Sequence, residues 1–160
     1  MTTTGVILRW VHLVAGGAWL GAVMMVVFVL VPSLHQLDEP RRRWFAETVF
    51  PKVFRLASVL SVTVVTTGLT LYLERFGWQI QLRPLVTGRW GWSILIGGVL
   101  ALLLTVFHFF AESRLAPHVR GAGTTPVDQG VLRVLRIAPR VGLAILVTVV
   151  ILMAYAARGL

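Results

Sequence analysis

Cysteine is missing from the 160 residues altogether. That excludes disulfides, thiolate nucleophiles, cysteine zinc sites and iron–sulfur clusters, and it leaves any metal to His, Met, carboxylate or backbone ligands. Charge is scarce too: 13% of residues are Asp, Glu, Lys or Arg, where a soluble domain carries about 25%. Six acids stand against fifteen bases, only one of them lysine. The chain has no phosphate-binding loop, nucleophile elbow or H-E-x-x-H motif, and no internal repeat or low-complexity tract. What it has is apolar bulk: 57% hydrophobic residues and a mean hydropathy of +0.84. A soluble protein this short has too much surface to cover with so few charges, so the lipid bilayer is its natural solvent.

A membrane-spanning helix needs about 20 apolar residues. Four stretches meet that need or approach it: 5–31, 53–73, 90–111 and 141–157. No strand-like alternation competes with them. The expected fold class is all-α, one domain over 1–160, an integral membrane antiparallel four-helix bundle. The first stretch is too long and too weakly basic at its start for a signal peptide and reads as a retained anchor. Ten bases flank the loops between helices one and two and between three and four (Arg41, Arg42, Arg43, Lys52 and Arg55 in the first; Arg114, Arg120, Arg133, Arg136 and Arg140 in the second), and five flank the other side. The bias places both termini outside and the basic loops in the cytoplasm of a multi-pass protein. The net charge of +9 is spread between apolar runs, which points to anionic lipid headgroups and not to nucleic acid.

Both basic loops carry amphipathic segments. Asp38 is placed to cap a helix beginning near Pro40, and Trp44, Phe45, Val49 and Phe50 alternate there with Arg41–Arg43. In the second loop Thr125 is placed to cap a helix with Pro126 in its first turn, which leads into helix four with a bend at Pro139. Gly17 and Gly21, and Gly97 and Gly98 with Ala101, have the spacing that lets helices approach closely in lipid. Trp10, Trp78, Trp90, Trp92 and Tyr155 sit at expected membrane boundaries. Trp19 lies deep in helix one, where its N–H needs a partner.

Ionisable groups inside a span are functional candidates because leaving them unpaired there is costly. His12 and His108 qualify. By helical rise His12 lies ~10 Å into helix one and His108 ~27 Å into the co-directional helix three, ~17 Å apart along the membrane normal. That separation speaks against both holding one haem or one ion. His108 shares its membrane face with Glu112, four residues on, with His35 just past Pro32, and with His118 after Pro117. Such a group suits a metal site or a proton relay; the alternative is that Glu112 pairs with a nearby arginine while His35 and His118 are solvated. His12 lies at the level of Tyr72, Glu74, Met153 and Tyr155, and a His–Met pair such as His12 with Met153 can ligate haem or copper. On helix two Thr63, Thr66, Thr67 and Thr70 share one face, with Ser58 and Ser61 nearby. Hydroxyls so placed either line a polar path or bond back to their own helix, and the second is the commoner use.

Several short motifs suggest a family. Trp10-Val-His12, Gly17-Ala-Trp19-Leu-Gly21 and Val31-Pro32 resemble the first helix of CopD-like membrane proteins. So do Phe50-Pro51-Lys-Val-Phe-Arg55, Thr67-Gly68-Leu69, Leu85-Val-Thr-Gly-Arg-Trp-Gly91, and His108-Phe-Phe followed by Arg114-Leu-Ala-Pro117. The resemblance spans most of the chain, though helix three lacks the early Lys common in that group. It implies a role in moving copper across, or tolerating copper at, the bacterial inner membrane, with this chain matching the terminal four-helix module of larger members. A fainter resemblance, through His12, Trp19 and His108, links the chain to HemJ-like haem-pathway membrane proteins and implies a b-type haem.

Three readings stay open at this level. The first is copper handling, with His35, His108, Glu112 and His118 as metal ligands. The second is a haem b protein linked to quinone, held through His12, His108 or Met153. The third is an accessory subunit of a larger membrane complex or a homo-oligomer that needs only its packing faces.

Overall fold

The structure, a computed structural model, describes residues 2–121 and 129–158, with 35, 43, 46, 114–121 and 129–136 described by backbone alone. Its elements are α1 (Thr3–Met25), a π-helical turn (Val26–Leu30), α2 (Val31–His35), α3 (Glu39–Thr48), α4 (Phe50–Arg75), α5 (Arg83–Val86), α6 (Gly88–Gly121) and α7 (Gln129–Ala157). No strand occurs among the described residues. Among the described residues four spans are long and apolar enough to cross a bilayer: Thr3–Leu34, Phe50–Arg75, Gly88–Ser113 and Ile137–Ala157. The four apolar runs of the sequence therefore become α1, α4, α6 and α7, in an all-α four-helix bundle.

Each helix outlasts its apolar run, because backbone hydrogen bonding continues past the point where side chains turn polar. α7 in particular runs from Gln129 through Pro139 to Ala157 as one helix. The long first helix changes register just before Pro32. A proline ring collides with the carbonyl four residues back and offers no N–H to it. The π-helical turn Val26–Leu30 contains that carbonyl, on Phe28, and a widened turn is how a helix accommodates such a conflict.

Asp38 occupies the N-cap of α3 in extended conformation, as its sequence position suggests, but its side chain makes no capping bond. It lies 3.7 Å from Arg41 instead. The expected caps at Thr125 and Pro126 fall outside the described residues.

α1 packs chiefly on α4 and α6 on α7, while α4 also meets α6 and α1 meets α7, which closes a four-membered ring. The centre is small: Ala15, Trp19, Ala57, Val64, Leu104 and Leu146. The outside is apolar, with Ile7, Val14, Phe28, Leu103, Val106 and Ile151 exposed around the bundle. Only 17–28% of each span's most apolar window is buried within the protein. A soluble bundle would lose solubility with this surface; lipid covers it at no cost.

The glycine pattern needs correction. Gly17 and Gly21 have no heavy atom within 4 Å of where a side chain would begin, so that stripe faces outward. Close helix approach happens at Gly97, against Met153 of α7, and at Gly68, against His12 of α1. Of the residues expected in an aromatic belt, Trp10, Trp78 and Trp92 are exposed, and Trp90 lies under the Arg75 guanidinium at 4.6 Å. Trp19 is buried, with 3% exposure.

Candidate functional site

The hydroxyls of α4 fold back on their own helix. Thr63, Thr66 and Thr70 donate to the carbonyls of Val59, Val62 and Thr66 at 2.7–2.8 Å. Ser61, the most enclosed side chain, donates to the Ser58 carbonyl at 3.0 Å. The stripe is therefore structural along most of its length. Two members do more, and each receives a histidine.

Thr67 meets His12. Its Oγ1 lies 3.0 Å from His12 Nδ1 and 2.6 Å from the Thr63 carbonyl. A threonine has one proton to give, and the carbonyl can only accept, so the hydroxyl donates to Thr63 and accepts from the ring. His12 is thereby assigned as the Nδ1–H tautomer, with Nε2 left as an unprotonated nitrogen. A histidine presented to a ligand has this arrangement, one nitrogen fixed by a hydrogen bond and the other free.

Ser58 meets His108. Its Oγ lies 3.0 Å from His108 Nε2, 3.0 Å from Glu112 Oε2 and 3.0 Å from the Phe54 carbonyl. The same carbonyl lies 3.3 Å from His108 Nε2. Because a carbonyl only accepts, Nε2 carries the proton. The serine proton then chooses between Phe54 and Glu112. His108 and Glu112 are 4.0 Å apart, with side-chain exposures of 14% and 35%. The carboxylate is thus the more exposed end of a three-group chain and the imidazole its more enclosed end. Phe54 flanks the imidazole, with ring centroids 5.5 Å apart.

Thr67 and Ser58 are nine residues apart on α4, about 14 Å along its axis and two and a half turns. The two histidines thus grip opposite faces of one helix, His12 from α1 and His108 from α6. Glycine at 68 allows the first contact, since a Cβ there would stand 3.1 Å from His12 Cε1.

Of the six residues singled out in the sequence, His108 and Glu112 come together. Met153 packs on Gly97, at the α6–α7 seam, and no hydrogen bond joins it to His12 among the described residues. The side chains of His35 and His118 lie outside those described. Among the described residues no group of three or more His, Asp or Glu side chains could hold a metal ion. A haem fits poorly: the histidines do not face one another. The cavity beside His108 measures about 120 Å³, well under the ~300 Å³ at which pockets for drug-sized ligands begin. That cavity lies between α1, α4, α6 and α7, with Trp19, Phe54, Leu104, Phe107, His108 and Pro139 in its wall.

The partners that sequence reasoning missed are Ser58 and Thr67 as individual acceptors. Depth matching would have found them. Thr67 is eight residues from the end of α4 that meets the start of α1, the level of His12, and Ser58 is eight residues from the other end, the level of His108.

Comparison of the chain with family models, with curated proteins and with solved structures finds no match.

Proposed function

We propose that this chain handles copper within the membrane, in the manner its CopD-like motifs suggest, and that the His108–Ser58–Glu112 chain is where the ion first meets the bundle. The observation that supports this reading is an ionisable pair held inside a span: Glu112 Oε2 at 4.0 Å from His108 Nε2, with Ser58 bridging them. Membrane proteins seldom keep such groups without use. Imidazole and carboxylate are competent copper ligands once the Nε2 proton has moved to Nδ1, the other neutral tautomer, and the more exposed carboxylate draws a cation toward the imidazole. The arginine-rich loops on this side belong to the lipid headgroups, and on the positive-inside rule they set this end in the cytoplasm.

The test is competition of the purified full-length protein with a chromophoric Cu(I) chelator, alongside copper content and copper sensitivity of cells carrying His108→Ala and Glu112→Gln. The expected result is a bound ion in the unaltered protein, lost in His108→Ala and weakened in Glu112→Gln. Equal copper affinity and equal sensitivity in all three would overturn the reading.

A further inference from the structure

One exposed apolar edge stands outside the four spans. It lies on the loop between α4 and α5, at the end of the bundle opposite His108 and Glu112. Trp78, Ile80 and Leu82, three alternate residues, are each 67–78% exposed. The base of the loop is fixed. The Gly77 and Trp78 N–H groups donate to the Glu74 and Leu73 carbonyls at 3.4 and 2.7 Å, which closes the last turn of α4. The Tyr72 hydroxyl donates to the Gln81 carbonyl. The ring of Phe76 contacts those of Tyr72 and Trp90, at 5.0 and 6.5 Å between centroids.

The backbone carries strain at this edge. Glycine suits the left-handed conformation at residue 77, φ +61, but Trp78 follows it at φ +63. A bulky side chain is unfavourable there, and such conformations cluster where a chain meets its ligands. The Trp78 ring is mostly exposed, so packing within the protein does little to offset the strain.

We propose that this edge docks in the headgroup layer of anionic phospholipid, with Trp78, Ile80 and Leu82 among the upper acyl chains and Arg83 and Arg89 on the phosphates. Three observations select that partner. The first is level: one span ends at Arg75 and the next begins at Gly88, so both ends of the loop leave the bilayer at its boundary. The second is the Ile80 peptide, whose N–H and carbonyl make no hydrogen bond among the described residues. Hydrocarbon would leave both groups unpaired, whereas the headgroup layer supplies water and lets only the side chains dip inward.

The third is charge. From Arg75 to Ala111 the chain has three arginines and no acid. The Arg75 guanidinium lies over the Trp90 ring, while Arg83 and Arg89 are exposed. A guanidinium matches phosphate geometry, and an anionic lipid surface attracts each base near it.

The inference stands independently of copper handling, and copper affinity is unchanged in the variants that test it. Because the chain has no cysteine, Ile80→Cys in the full-length protein takes a single NBD fluorophore. In nanodiscs holding one copy each, its quenching is measured with phosphatidylglycerol and phosphatidylcholine that carry a nitroxide high or deep on the acyl chain. The expected result is stronger quenching by the high nitroxide and a preference for phosphatidylglycerol. That preference falls roughly fivefold with each of Arg83→Gln and Arg89→Gln, the equivalent of about 1 kcal/mol per base near an anionic surface. Trp78→Gly relieves the backbone, so the unfolding midpoint in detergent holds or rises while the quenching falls. Leu82→Cys carries the label in place of Ile80→Cys as a second position with the same expected result.

Five outcomes would each overturn the proposal. Absence of lipid quenching would assign the edge to water or to a protein partner. Equal quenching by both lipids, unmoved by the arginine variants, would mean contact without recognition of the headgroup. Stronger quenching by the deep nitroxide would put the loop in hydrocarbon. A lower midpoint in Trp78→Gly would mean that the ring serves the fold, and loss of quenching when two copies share a nanodisc would assign the edge to a second copy.

Discussion

The imidazole of His12 stands 3.1 Å from the point where a side chain on Gly68 would begin, so residue 68 sets how closely α1 and α4 approach. Gly68→Ala gains helix propensity worth up to ~1 kcal/mol, but pressing a methyl into a filled contact costs typically ~1–3 kcal/mol. The net expectation is destabilisation, read as a lower midpoint in SDS-induced unfolding. With His12→Ala the obstruction is gone, and Gly68→Ala becomes neutral or stabilising. An equal cost in both backgrounds would show that His12 is not what Gly68 accommodates.

Thr67→Val removes the acceptor of the His12 Nδ1–H while keeping the side chain's shape. The Val64 carbonyl remains as a partner for the ring, so the loss is one hydrogen bond, about 1 kcal/mol, and the variant unfolds somewhat more readily. Thr67→Ser keeps the hydroxyl and restores most of the loss. The hydrogen bond also fixes the tautomer, and 15N shifts of labelled histidine provide a second readout: His12 reports Nδ1–H in the unaltered protein and in Thr67→Ser, and a tautomer mixture in Thr67→Val.

Ser58→Ala cuts the link between His108 and Glu112 without touching either. The two remain 4.0 Å apart on one helix face, so their direct contact survives and only the bridged path is lost. The expected loss of stability is about 1 kcal/mol, one neutral-to-charged hydrogen bond set against some freedom regained by Glu112. In a double-mutant cycle the coupling between His108→Ala and Glu112→Gln shrinks in the Ser58→Ala background. Unchanged coupling would mean that the pair communicates directly.

The glycines separate into two classes that a stability series distinguishes. Gly17→Ala and Gly21→Ala point into open space and stabilise or leave unchanged, because each replaces the poorest non-proline helix former. Gly97→Ala meets the Met153 side chain and destabilises unless that flexible thioether moves aside. A loss of stability at Gly17 or Gly21 would instead show that the outward stripe is covered by another copy of the chain.

Membrane character, helix number and the positions of the four spans were legible from Gly5, Val53, Trp90 and Val141 onward, because crossing a bilayer imposes a length and an apolarity that any window of sequence reveals. The separation of His12 from His108 was legible for the same reason, since helical rise converts position into depth. The pairing of Glu112 with His108 followed from four-residue spacing on one helix. Facing was not legible. Gly17 and Gly21 have the same spacing as a packing motif, yet they look into lipid, and the contacts that matter fall at Gly68 and Gly97.

That choice is made by rotation of each helix about its axis, which apolar residues on every side leave undetermined when lipid and protein interior are equally hospitable. In water the apolar stripe of a helix announces its inward face; in lipid it does not. Ser58 and Thr67 became partners of the histidines only when α4 was turned so that its opposite faces met α1 and α6. The sequence by itself determined how deep each group lies, and only tertiary packing decided which groups at one depth meet.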